Sequence, residues 1–133
     1  MIGLDTNVLV RFLVDDDEIQ SARARRLIEK AISDEESLFV SDVVLCETFW
    51  VLASAYKVAR KEIDAVFSEL LQARALAFES RDRLADALAG FSRGRGDFAD
   101  YIIGARAREA GCSTVATFDR ALFREPGFTA VGP

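Results

Sequence analysis

The chain has 133 residues, half of them apolar, with ten phenylalanines, no histidine, and a net charge of −5 from 22 acids against 17 bases. That length and apolar content suit one globular domain, residues 1–133, able to bury a core without disulfide staples. The missing histidine excludes the usual Ser-His-Asp and Cys-His catalysts. With only Cys46 and Cys112 as thiols it also excludes a four-ligand Cys/His zinc site.

Ile2 to Asp5 reads as a short apolar strand ending in a carboxylate, and Asn7 to Val14 as a helical turn or two. The run DDDE, Asp15 to Glu18, opens a helix, where acids favour the dipole. Ala24, Leu27, Ile28, Ala31 and Ile32 give that helix an apolar face, and Asp34 to Glu36 form a polar connection. Leu38 to Val40 is a second strand, and Ser41 caps the helix after it. That helix contains VVLCETFWVLA, Val43 to Ala53, in which Glu47 is the one charged residue in eleven. An unpaired buried carboxylate is costly, so Glu47 is expected to meet a partner, either an arginine or an ion.

Ile63, Val66, Phe67, Leu70 and Leu71 mark a further amphipathic helix, followed by a weaker strand over Ala75 to Phe78. Leu84, Ala85, Leu88 and Phe91 mark a helix broken by Gly94 and Gly96. DFADYIIGARAREAG, from Asp97, is a helix closed by Gly111. Thr114 to Ala116 and Phe128 to Val131 are short strands. Trp50 and the phenylalanines are assigned to the core rather than to base stacking, and Tyr101 suits either role. No stretch is long and apolar enough for a membrane helix. No basic segment leads into an apolar one at the start, so no secretory signal is expected. The two cysteines fit a reduced, cytoplasmic setting.

Short strands alternating with helices predict an α/β fold with a parallel sheet covered by helices on both faces. In such sheets the site lies beyond the C-terminal strand ends. Asp5 ends the first strand, Glu47 lies early in the helix after the second, Asp97 and Asp100 open a helix, and Asp119 follows the strand near Val115. Converging carboxylates repel one another, and a hard divalent cation, Mg²⁺ or Mn²⁺, removes the conflict. One or two such ions would activate water and stabilise the attacking and leaving oxygens of a displacement at phosphorus without any histidine. Setting those five acids aside leaves 17 acids against 17 bases, 14 of them arginine, so an arginine-lined nucleic-acid groove is compatible with the charge. Arg93 and Arg95 flank the glycine break and are candidates for phosphate contacts.

Each acid also has a plainer role. Asp5, Asp97 and Asp119 could be helix caps, Asp100 an N3 acid, and Glu47 half of a structural bridge. Thr117 could cap as well.

LDTNVLV, the lone Glu47 in VVLCETFWVL, DFADYIIGARAREAGC and VATFDRAL, in that order from residue 2 to about 124, resemble the PIN-domain family. Within it they resemble the VapC-type ribonuclease toxins of type II toxin–antitoxin pairs. The resemblance implies a three-layer α/β/α sandwich of about five strands in the order 3-2-1-4-5. It implies a metal-dependent endoribonuclease, a homodimer, an RNA substrate and an inhibiting antitoxin. Carried over by motif, Asp5, Glu47, Asp100 and Asp119 are the catalytic metal-holding acids, Asp97 is an accessory ligand or cap, and Thr6 and Thr117 are polar supports.

Other readings change the activity, and the first two of them keep the fold. A non-catalytic RNA- or protein-binding module would be signalled by loss of acids, and none is missing. A nuclease for structured DNA would want DNA-gripping additions for which the chain has no room. A receiver domain would need a paired acid after the first strand and a late lysine, but the last lysine is Lys61. An aspartate-nucleophile phosphatase would want Asp where Asn7 stands.

Overall fold

The computed structural model describes residues 1–132; Pro133, the last residue of the expected domain, lies outside the described residues. The chain forms two compact units, one from Met1 to Arg81 and one from Asp82 onward.

The first unit runs β1 (Ile2–Gly3), α1 (Thr6–Leu13), α2 (Glu18–Ser33), β2 (Leu38–Val40), α3 (Asp42–Ser54), α4 (Arg60–Gln72) and β3 (Leu76–Phe78). Its strands form a parallel sheet in the order β1-β2-β3, with Ile2 opposite Leu38 and Leu38 opposite Leu76. Parallel neighbours require long crossovers, and the helices provide them. Leu38 and Val40 are fully buried, as befits a central strand. Leu9 and Val10 of α1, Ile28 of α2, Leu45 and Leu52 of α3 and Phe67 of α4 complete this core. Arg81 donates to the carbonyls of Leu71, Ala73 and Leu76 and lies 4.9 Å from the Phe78 ring centroid, pinning the α4–β3 connection.

The second unit holds α5 (Arg81–Arg93, but for its first residue), α6 (Phe98–Glu109), β4 (Val115–Thr117), a 3-10 turn (Arg120–Leu122) and β5 (Phe128–Ala130). β4 and β5 pair in parallel, Val115 opposite Phe128. Phe91 meets Phe98 and Tyr101 edge-on at 6.5 and 6.4 Å, a favoured aromatic geometry. Arg83 bridges α5 to Glu109 of α6 at 2.7 Å. Past the Ala110 C-cap of α6 stands Gly111, whose φ of 95° is left-handed backbone that glycine adopts freely.

The chain is therefore α/β with parallel strands, carried in sheets of three and two strands. Several expectations are corrected. Trp50 is 66% exposed rather than core, and Phe118 is 80% exposed. Ile32 leaves the buried face of α2, and Ala87 replaces Ala85 on that of α5. β4 starts one residue later than the sequence suggests. Among the described residues no helix is long and apolar enough to cross a membrane.

Candidate metal and nuclease site

In the first unit, β1 and β2 lie side by side and parallel, so their C-terminal ends share one edge. Asp5 emerges there as the N-cap of α1, and its Oδ1 accepts from the Thr6 amide at 2.8 Å. Ser41 caps α3 through the Val44 amide at 3.1 Å, and Glu47 follows in the second turn. The Thr6 hydroxyl donates to Glu47 Oε1 at 3.0 Å. Thr6 therefore ties both carboxylates to one residue, through its amide to Asp5 and its hydroxyl to Glu47.

Glu47 is exposed, which corrects the expectation that the apolar run buries it. Leu45, Thr48, Phe49 and Leu52 turn inward, while Val43, Glu47 and Trp50, at helical spacing, turn outward. Its partner among the described residues is a threonine hydroxyl, not an arginine. Sequence reasoning overlooked Glu79, just after β3, which accepts from the Asp42 amide at 2.9 Å and serves the start of α3.

In the second unit, Asp97 is the N-cap of α6 and Asp100 occupies N3 in a capping box. Asp100 Oδ2 accepts from the Asp97 amide at 2.8 Å. Asp119 caps the 3-10 turn through the Ala121 amide at 2.9 Å, and its own amide donates to Thr117 Oγ1 at 3.0 Å. The plainer capping roles of these aspartates are thus all realised. Burial pushes the Asp100 carboxyl above its ordinary value; the Asp97 amide opposes this, while the charges of Asp97 and Asp119 add to it. A nearby cation would relieve that tension.

The loop before Asp97 is held by a clamp. The Tyr101 hydroxyl accepts from the Gly96 amide at 3.0 Å and donates to Glu125 Oε1 at 3.0 Å, and the Arg95 amide donates to the same oxygen at 2.6 Å. A Cβ on Gly94 would collide with both the Tyr101 hydroxyl and the Glu125 carboxylate. Tyr101, left open by the sequence, is a buried strut of this loop. Arg93 ends α5 and Arg95 lies in the loop, both exposed.

Asp5, Glu47, Asp100 and Asp119 share one property. One oxygen of each is fixed by a protein donor, and among the described residues the other, Oδ2, Oε2, Oδ1 and Oδ2 in turn, has no protein partner. Among the described residues no three His, Cys, Asp or Glu side chains are grouped as a metal site within either unit. A pair of carboxylates is nevertheless an adequate donor set for Mg²⁺, which commonly takes one or two and keeps several waters. The donors are all hard oxygens, so they fit such an ion.

Parallel strands crossed by helices, with Asp5 just after β1 and Asp119 just after β4, define an α/β protein that carries acids at strand ends. The family model described as PIN domain matches residues 2–128, and the chain belongs to the PIN domain family. It is similar to the VapC ribonuclease of Aquifex aeolicus (strain VF5), with 29% identity over 130 residues, 98% of this chain and 95% of that protein.

Proposed function

We propose that the chain is a metal-dependent endoribonuclease that hydrolyses RNA phosphodiester bonds, the toxin of a VapBC-like toxin–antitoxin pair. The observation that carries this is the set of four acids, each with one oxygen anchored and the other free for a ligand. Likeness to a VapC ribonuclease over nearly the whole chain supports the substrate class.

In this reading Asp5, Glu47, Asp100 and Asp119 hold Mg²⁺ or Mn²⁺, as one ion or two, with Asp97 accessory. The metal supplies Lewis acidity at phosphorus and lowers the pKa of water. Thr6 fixes the rotamer of Glu47, and Thr117 orients the turn that carries Asp119. With no histidine in the chain, protons pass to carboxylates or solvent. Arg93 and Arg95 engage phosphates, where guanidinium forms bidentate bonds. The reading includes one PIN-like domain over residues 1–133, a three-layer sandwich with strand order 3-2-1-4-5, a homodimer, an antitoxin partner and a cytoplasmic location. The family match running through both units supports the single domain.

Purified protein incubated with total RNA, and separately with single-stranded and flapped DNA, tests this reading in Mg²⁺, Mn²⁺ or excess chelator. Metal-dependent cleavage confined to RNA is the expected result. Cleavage of flapped DNA alone would replace it with a DNA nuclease. Binding of RNA without cleavage in either metal would replace it with a binding module.

A further inference from the structure

The second unit contains a cavity of about 840 Å³ between α5, α6, the 3-10 turn and β5. Its wall carries Arg93, Arg95, Arg108, Arg120 and Arg124. Among the described residues none of these five forms an ion pair. Two carboxylates, Asp86 and Glu125, share the wall, and Glu125 is engaged by the Arg95 amide and the Tyr101 hydroxyl. Five cations against two acids make a positive hollow in a chain whose net charge is −5. Concentrating unpaired guanidiniums this way is unfavourable through self-repulsion unless an anion is the intended occupant.

The same wall carries aromatic faces, among them Phe123, which is 40% exposed. Cationic grooves with exposed rings bind single strands by combining phosphate contacts with base stacking. The hollow is also continuous in sequence with the candidate acids: Arg95 lines it and Asp97 follows two residues later, and Arg120 lines it directly after Asp119.

We propose that this arginine-walled cavity binds the sugar-phosphate backbone of single-stranded RNA, with Phe123 offering a stacking face to a base. The site extends well beyond Arg93 and Arg95, to residues of α6 and of the turn before β5. The proposal rests on the ribonuclease reading for its choice of RNA over other polyanions.

The test measures fluorescence anisotropy of a labelled single-stranded RNA in excess chelator, over a range of salt, for the parent, Arg108→Gln/Arg124→Gln and Phe123→Ala. Circular dichroism first checks that each variant folds, as expected for exposed positions. The double variant should bind at least about tenfold more weakly. Its plot of log affinity against log salt should flatten by about 0.7 for each phosphate that the variant no longer neutralises. Phe123→Ala should lose affinity with the slope unchanged, as stacking requires. Unchanged affinity and slope in the double variant would overturn the proposal. So would poly-glutamate binding that depends on Arg108 and Arg124 while RNA binding does not, which would assign the hollow to an acidic protein segment. Steady-state cleavage separates the two readings. A double variant that cleaves with unchanged KM removes the pocket and keeps the nuclease. A parent that binds RNA through these arginines without cleaving it keeps the pocket and removes the nuclease.

Discussion

The hydroxyl of Thr6 donates to Glu47 Oε1 at 3.0 Å across 41 residues of chain. It is buried while its acceptor is exposed, so the buried partner holds the solvated one. Because Thr6 is also the residue whose amide Asp5 caps, one turn of backbone sets the orientation of two candidate ligands.

Thr6→Val keeps the shape of the side chain and removes this bond. Glu47 would then sample other rotamers. The concentration of Mg²⁺ giving half-maximal cleavage should rise about tenfold, the lower end of the usual effect of groups that orient metal ligands. Stability should fall by about 1 kcal/mol, since the acceptor is solvated. A metal titration of cleavage rate and a thermal melt in chelator check the two parts.

Asp100 links function to stability through pH. Burial, aided by the charges of Asp97 and Asp119, raises its pKa above the ordinary value. A group raised on folding lends stability that is complete below its unfolded pKa and is lost as pH rises through the folded one. Ionised Asp100 therefore weakens the metal-free fold near neutrality. Asp100→Asn keeps an acceptor for the Asp97 amide and removes the charge. In chelator its Tm should exceed that of the parent at pH 7, and the gap should close below about pH 3, where the parent carboxyl is protonated in both states. A lower Tm at pH 7 would show the charge to be stabilising.

Gly94→Ala places a methyl against Tyr101 and Glu125, the two side chains that hold the loop before Asp97. Overpacking of this kind costs about 1–3 kcal/mol. Gly3→Ala, where a Cβ meets nothing within 4 Å, is the control and should change stability far less. Denaturant unfolding of the pair measures the difference.

Trp50 gives a sharp contrast between composition and position. A core tryptophan cut to alanine costs about 3–5 kcal/mol. At 66% exposure, Trp50→Ala should cost less than about 0.5 kcal/mol in the isolated chain. Chemical denaturation followed by circular dichroism tests this.

The same helix explains where the sequence is legible and where it is not. Leu38 to Val40, Ser41 as a cap and Asp97 with Asp100 as a capping box are local signals, and the structure carries them at the expected residues. α3 is apolar almost all round, so periodicity does not say which side faces out. Glu47 and Trp50 therefore read as inward and stand outward. Asp5 and Asp119 are legible because each follows a strand, and Asp97 and Asp100 because they open a helix after the glycine break. Their anchors are legible only where the partner is a neighbour, as at Thr6 for Asp5 or Ala121 for Asp119. The Thr6–Glu47 bond and the Tyr101–Glu125 clamp join residues 41 and 24 apart, and no local pattern announces them. Arg108, Arg120 and Arg124 escape sequence reasoning for the same reason: α6, the 3-10 turn and the residues after it meet only in space.

The most direct test of the central claim is single-turnover cleavage of a defined RNA in Mg²⁺, with Asp5→Asn, Glu47→Gln, Asp100→Asn and Asp119→Asn beside the parent. Each variant removes one negative charge and keeps its anchored acceptor. The account predicts that every one loses at least about a hundredfold in rate, or about 2.7 kcal/mol of transition-state stabilisation, while Asp97→Asn loses less. Parent-like cleavage in any of the four, or in chelator, would contradict it.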